Sequence, residues 1–191
     1  MFDKINLFLE TLIPKKEQRI NLLNILSYFL SGRRQHSKIY IMNNNKLLVE
    51  LLKLSFGDYY CYLPFDCKCI DYDEFKNVVK GKRLALIEQK DEEKQMSIGY
   101  MHEISHADFI YKEYKKYPDK VRLQFTAILL CKDCEKYIDK FSQCDRAMQI
   151  IKLDFADDKL ELLKKNNLEE LSSEFMNLLK IYNYNQLKNN N

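Results

Sequence analysis

The stretch IYIMNNNKLLVELLKLSFG, residues 39–57, decides the fold. Its first four residues are β-branched, aromatic or thioether side chains with no polar break, the composition of a short strand buried on both faces. Three asparagines, Asn43, Asn44 and Asn45, interrupt it. Residues 46–56 then place Leu47, Leu48, Leu51, Leu52, Leu54 and Phe56 at helical spacing, and Gly57 offers a left-handed stop. Strand, polar turn and helix in that order open a βαβ unit, and a βαβ unit implies parallel strands.

Working outward, residues 17–30 (EQRINLLNILSYFL) repeat apolar residues at i, i+3, i+4 and i+7 and stop at Ser31-Gly32, so they predict a helix. Residues 2–13 predict another, closed by Pro14. Downstream, residues 60–70 are aromatic and Cys-rich and read as a hairpin or loop, and residues 72–79 as a short helix. RLALIE (residues 83–88) reads as a second buried strand ending in an acid. VRLQFTAILL (residues 121–130) gives the clearest strand pattern, QIIKLDF (residues 149–155) a further strand, and residues 160–187 one or two terminal helices. Strands alternating with helices point to an α/β fold: three layers around a central, mostly parallel sheet, with helical N- and C-terminal flanks. The expected organisation is a helical lead-in over residues 1–32, a core over 33–155 and a helical segment over 156–191.

Composition narrows the function classes. The 191 residues are 46% hydrophobic, enough for a globular core. With 31 basic and 28 acidic residues, the net charge of +3 argues against a polybasic tail or a disordered chain. Four Gly and three Pro exclude linker-rich architectures. No apolar run is long enough to span a membrane, so no membrane partner is expected. Asp3 and Glu10 break what would be a secretory h-region. Six Cys in this length do not make a disulfide scaffold; reduced thiols in an intracellular, non-secreted protein are expected.

The order of these elements carries a resemblance. LETLIPKKEQRINLLNILSYFLSG looks like the lead-in helix of the superfamily 3 helicase module, the AAA+ type ATPase of poxvirus-like and phage primase-helicases. IYIMNNNKLLVELLKLSFGDYY resembles that family's first strand, phosphate loop and helix, and GKRLALIEQ its Walker B strand. The stretch beginning at MHEISHADF and ending at AILLCKD is similar to the segment that leads to the sensor strand. DRAMQIIKLDF and EELSSEFMNLLK resemble the closing strand and terminal helix. The resemblance covers roughly residues 9–184. It implies a P-loop-like core, and in an active member it would imply ATP and Mg²⁺, a ring of subunits and DNA.

Departures from the family pattern fall where the chemistry would be. A phosphate loop follows G-x-x-x-x-G-K-[ST]: glycines turn backbone N–H groups onto one phosphate, Lys neutralises it and the hydroxyl holds Mg²⁺. Here the candidate phosphate-binding residues are Asn43, Asn44, Asn45 and Lys46. Counting back from Gly57 sets Asn45 in the Lys position; a one-residue slip sets Lys46 there and Leu47 in place of the hydroxyl. Both glycines are missing and the loop is short. Glu88 matches the first Walker B acid, but Gln89 replaces the second and cannot take a proton from water. Lys132 follows Cys131 where the family's sensor strand ends in Asn. Arg146 stands near the expected arginine finger, although Gln149 lies closer to the family spacing.

The expectation is therefore a degenerate, ATPase-inactive helicase-like domain. It needs no cofactor and partners itself or an active helicase or primase relative in viral or mobile-element DNA replication. The alternatives are an active divergent helicase using Lys46, Glu88 and Arg146 with ATP and Mg²⁺, and a protein-binding module on the same fold. Lys112, Lys115, Lys116, Lys120 and Arg122, interleaved with Tyr111, Tyr114 and Tyr117, are the candidates for contact with single-stranded or duplex DNA; Lys15, Lys16, Arg33 and Arg34 are a second basic group.

Two further motifs are weaker. Cys67-x-Cys69 with Cys131-x-x-Cys134 could hold zinc, but the first spacing is too tight, and ordinary buried thiols are the favoured reading. HEISH (residues 102–106) matches H-E-x-x-H, yet it has no third His downstream and no long helix to carry it. A metalloprotease is rejected on those grounds.

Overall fold

The computed structural model describes residues 2–32, 39–65, 72–90, 104, 109–110, 121–122, 124–134, 148–156 and 167–189. The elements, in chain order, are α1 (Asp3–Leu12), α2 (Lys16–Leu30), β1 (Ile39–Asn43), α3 (Lys46–Phe56), β2 (Tyr60–Leu63), α4 (Tyr72–Val79), β3 (Leu84–Glu88), β4 (Phe109–Ile110), β5 (Val121–Arg122), β6 (Thr126–Cys131), β7 (Met148–Ile151) and α5 (Leu168–Asn189). They make an α/β fold. The chain divides into two compact units, a helical one of Met1–Ser31, Asn44–Gly57 and Ile151–Asn191, and a sheet-bearing one of Gly32–Asn43 and Asp58–Ile150.

The sheet has five strands in the order β2-β3-β6-β1-β7. β2, β3, β6 and β1 run parallel, with Leu63 paired to Ile87, Ile87 to Leu129 and Leu129 to Ile41 across the row. The interior strands are apolar in succession: all six residues of β6 and the first four of β3 are buried. Such runs, without polar alternation, mark strands covered on both faces. On one face Ile41, Cys61, Leu63, Ala85, Ile87, Ala127 and Leu129 form a cluster with Val79, Ile104 and Phe125. The opposite pleat turns Tyr40, Met42, Leu84, Leu86, Ile128 and Leu130 into equally buried positions. Each full burial of such a side chain contributes roughly 1.5–3 kcal/mol.

The helical unit is held by specific polar contacts as well as by Leu and Phe. Pro14 separates α1 from α2, and the Arg19 guanidinium closes the corner by donating to the carbonyls of Ile13 and Pro14 at 2.8 and 2.7 Å. α5 packs along α2 and α3. The Gln186 amide donates to the carbonyl of Asn24, and Glu174 accepts from the backbone N–H of Ile5 in the open first turn of α1. The segment after β7 returns to the same unit: the Gln18 side chain donates to Asp154 and accepts from its backbone N–H, at 3.1 and 2.9 Å.

Three local expectations change. Residues 60–63, read as part of a hairpin or loop, form β2, which pairs parallel to β3. Four residues are too few for a periodicity to declare itself. The run over residues 121–130 is two strands: β5 pairs antiparallel with β4, and Gln124 and Phe125 separate it from β6. The closing strand ends at Ile151 rather than at residue 155.

Gly57 stops α3 with φ +47° and ψ −121°, a combination essentially closed to residues with a Cβ, although no atom beyond the adjoining residues lies within 4 Å of where that carbon would sit. Gly57→Ala is therefore a pure backbone test. We expect a loss of about 1–3 kcal/mol, read in urea as a lower unfolding midpoint at unchanged m-value.

Candidate functional site at the carboxyl edge of the sheet

In an open parallel sheet, ligands bind beyond the carboxyl ends of strands at the point where outgoing connections run opposite ways. Here that point lies between β1 and β6. The chain leaving β1 goes to β2 at one edge, and the chain leaving β6 goes to β7 at the other. The strands end level, with Asn43 paired to Cys131.

The crevice end of β1 is engaged by the chain itself. Cys134, in the bend that follows β6, donates its S–H to the Asn43 side-chain oxygen at 2.7 Å. Its sulfur also lies 3.4 Å from that of Cys131, which in turn faces the Met42 carbonyl at 3.9 Å. Both cysteines are buried. Burial, the contact with Cys134 and the nearby Asp133 carboxylate together push the Cys131 thiol far above the ordinary range, with the Cys134 contact the largest cause.

Glu88 ends β3 as expected, but its row is that of Leu130 and Met42, one residue short of the Asn43–Cys131 row. The pleat therefore sends Glu88 and Asn43 to opposite faces. On its own face Glu88 meets Tyr62 from β2, whose hydroxyl donates to the Glu88 carboxylate at 2.5 Å. Burial first, then this hydrogen bond and the charge of Glu88, raise the Tyr62 phenol above its ordinary value. Gln89 uses its backbone N–H on the Leu130 carbonyl at 2.9 Å, continuing the ladder one residue beyond β3. Lys132 is exposed just past the end of β6.

In the chain between β1 and α3 only Asn44 and Asn45 stand outside regular structure. A G-x-x-x-x-G-K-[ST] loop is considerably longer. Asn45 is the N-cap of α3, with extended backbone angles, and is buried; its side-chain oxygen accepts from the N–H groups of Leu47 and Leu48, both at 3.1 Å. Its carbonyl accepts from Val49 at 2.9 Å. These amides are donors that a helix N-terminus would otherwise turn toward an anion. Lys46 is exposed at the first position of the helix.

Of the remaining candidates, Arg122 lies in β5, paired with Phe109. Lys112, Lys115, Lys116, Lys120, Arg146, the Cys67–Cys69 pair and both histidines of HEISH lie outside the described residues. Among the described residues no group of three or more His, Cys, Asp or Glu could hold a metal, and no helix is long and apolar enough to cross a membrane. Tyr62 escaped the sequence reading because its role depends on β2 lying beside β3. The triphosphate pattern sets Asn45 in the Lys position, whereas the local signal is the better one: Asn just ahead of an apolar-periodic run is a helix cap.

Two outcomes follow from this geometry. Asn45→Ala removes the cap and should cost about 1 kcal/mol of stability, whereas Asn45→Asp should keep it and add a favourable charge at the helix N-terminus; urea unfolding of both variants checks the pair. Tyr62 is held protonated in the folded chain, so its contribution is complete below the ordinary phenol pKa of 10.0 and is lost as pH rises past it toward the higher folded value. Tyr62→Phe should make the stability profile above pH 10 shallower than the parent's.

No protein-family model matches the chain, and no curated protein matches it. Solved structures do. Three apo structures of the NrS-1 C-terminal region superpose with TM-scores of 0.56, 0.53 and 0.55 at 13, 13 and 14% identity. The likeness covers 94, 92 and 94% of this chain and 44, 42 and 44% of those chains, so the chain spans less than half of the structures it matches. At that identity the likeness establishes the fold: an α/β parallel-sheet domain resembling one part of the NrS-1 C-terminal region.

Proposed function

We propose that this chain is a degenerate helicase-like domain that does not hydrolyse ATP and acts as a non-catalytic partner or regulator in the DNA replication of a virus or mobile element. The observation that carries the reading is the junction of β1 and α3, where Asn45 takes up the N–H groups of Leu47 and Leu48 within a two-residue connection. A triphosphate would have to displace that cap, and the Asn43-Asn44-Asn45-Lys46 stretch brings neither the glycines nor the hydroxyl that would repay the displacement. Glu88 and Gln89 support the same reading. One is a carboxylate already accepting from Tyr62, and the other is an amide with no basicity for the attacking water. Likeness to the NrS-1 C-terminal region supports the fold on which the reading is built, and the replication context rests on the helicase-like order of the sequence motifs. The expected partner is a second copy of the chain or an active helicase or primase relative, and the reading requires no cofactor.

Calorimetry and thermal unfolding with ATP and Mg²⁺ test the proposal. A ligand at ~100 times Kd that binds only the folded state would stabilise it by about 2.7 kcal/mol. We expect no such gain and no effect of Lys46→Ala on it; ATP turnover stimulated by single-stranded DNA would contradict the proposal. A single-stranded DNA shift assay at graded salt distinguishes a DNA-contacting regulator from a protein-only module. For the former, binding weakens linearly on a log–log salt plot, and each Ala replacement among Lys112, Lys115, Lys116, Lys120 and Arg122 reduces the slope by about 1.

A further inference from the structure

Cys131 and Cys134 form a C-x-x-C pair at the carboxyl end of β6, and their sulfurs are already in contact at 3.4 Å. The pair is tied to the neighbouring strand: Cys134 donates to Asn43 at the end of β1, and Cys131 faces the Met42 carbonyl. Two thiols brought together by one bend, with no third Cys, His, Asp or Glu to complete a metal site among the described residues, have a simpler joint chemistry than metal binding.

We infer that Cys131 and Cys134 are a reversible dithiol–disulfide site, oxidised by a low-molecular-weight disulfide, and that oxidation releases Asn43 from Cys134. In the forward direction one cysteine, as its thiolate, attacks a sulfur of the small disulfide and expels one small thiol. The second cysteine then attacks the mixed disulfide and expels the other. One protein S–S bond forms, the small disulfide's S–S bond breaks, and two electrons and two protons pass to the two small thiols. Closing the contact to a bond of about 2.05 Å moves each sulfur by less than an ångström. Cys134 then has no S–H to donate, so Asn43 loses its 2.7 Å contact at the crevice.

Burial sets the tempo. Cys131 and Cys134 are 1% and 5% exposed, and the Cys131 thiol resists ionisation, so exchange requires local opening and is slow. The site is thus one of equilibrium poise, unlike a fast peroxide sensor with an exposed thiolate.

The test uses the full chain, equilibrated without denaturant in graded ratios of reduced to oxidised glutathione, then acid-quenched, alkylated and digested with trypsin. Cleavage after Lys132 separates Cys131 from Cys134, so a bridge between them appears as one disulfide-linked pair of peptides. The expected result is a single two-electron transition in which this species replaces both alkylated peptides. Cys131→Ser and Cys134→Ser should each abolish it, with the Cys134→Ser hydroxyl still able to donate to Asn43. Glutathione adducts without a bridge, pairing of either residue with another cysteine such as Cys61, or bridging only in denaturant would each overturn the inference. Should a Ser variant fail to fold, the peptide map of the parent chain decides alone.

Discussion

Two hydrogen bonds, from the amides of Leu47 and Leu48 to the side-chain oxygen of Asn45, determine what the turn between β1 and α3 can do. The first amides of a helix have no partner within it, and the helix dipole leaves them partially positive. They can satisfy a cap or an anion, and a cap built into the sequence is always at hand. An Asn cap is worth about 1 kcal/mol, which is small beside a multidentate phosphate site but is opposed here by nothing. No glycine lets the backbone curl, and the connection is too short to form a cradle.

The same self-satisfaction recurs along the carboxyl edge of the sheet. Asn43 accepts from Cys134, Glu88 from Tyr62, and the Gln89 amide extends the ladder onto Leu130. Asn43, Asn45, Glu88 and Gln89 thus each have a partner from this chain, whereas Lys46 and Lys132 are exposed. The sheet that carries them draws its stability from other side chains, chiefly the Ile, Leu and Ala residues buried along its strands.

Much of the scaffold could be read from sequence. β1, α3, α4 and β3 fall where apolar runs and their Asn and Gly punctuation set them, since a buried parallel strand is a short unbroken apolar run and a surface helix has its own period. What escaped reading depends on neighbours. β2 becomes a strand by lying against β3, and Tyr62 acquires a role only because β2 holds it beside Glu88. The opposite facing of Glu88 and Asn43 follows from a one-residue offset between paired strands, which no single stretch of sequence contains.

The central claim concerns two backbone amides, and they can be observed individually. In ¹⁵N-labelled protein, the Leu47 and Leu48 N–H resonances should hold their positions as ATP and Mg²⁺ are raised into the millimolar range. They should shift in Asn45→Ala, where the capping oxygen is gone. Movement of both resonances in the parent chain on nucleotide addition, saturating with concentration, would contradict the account.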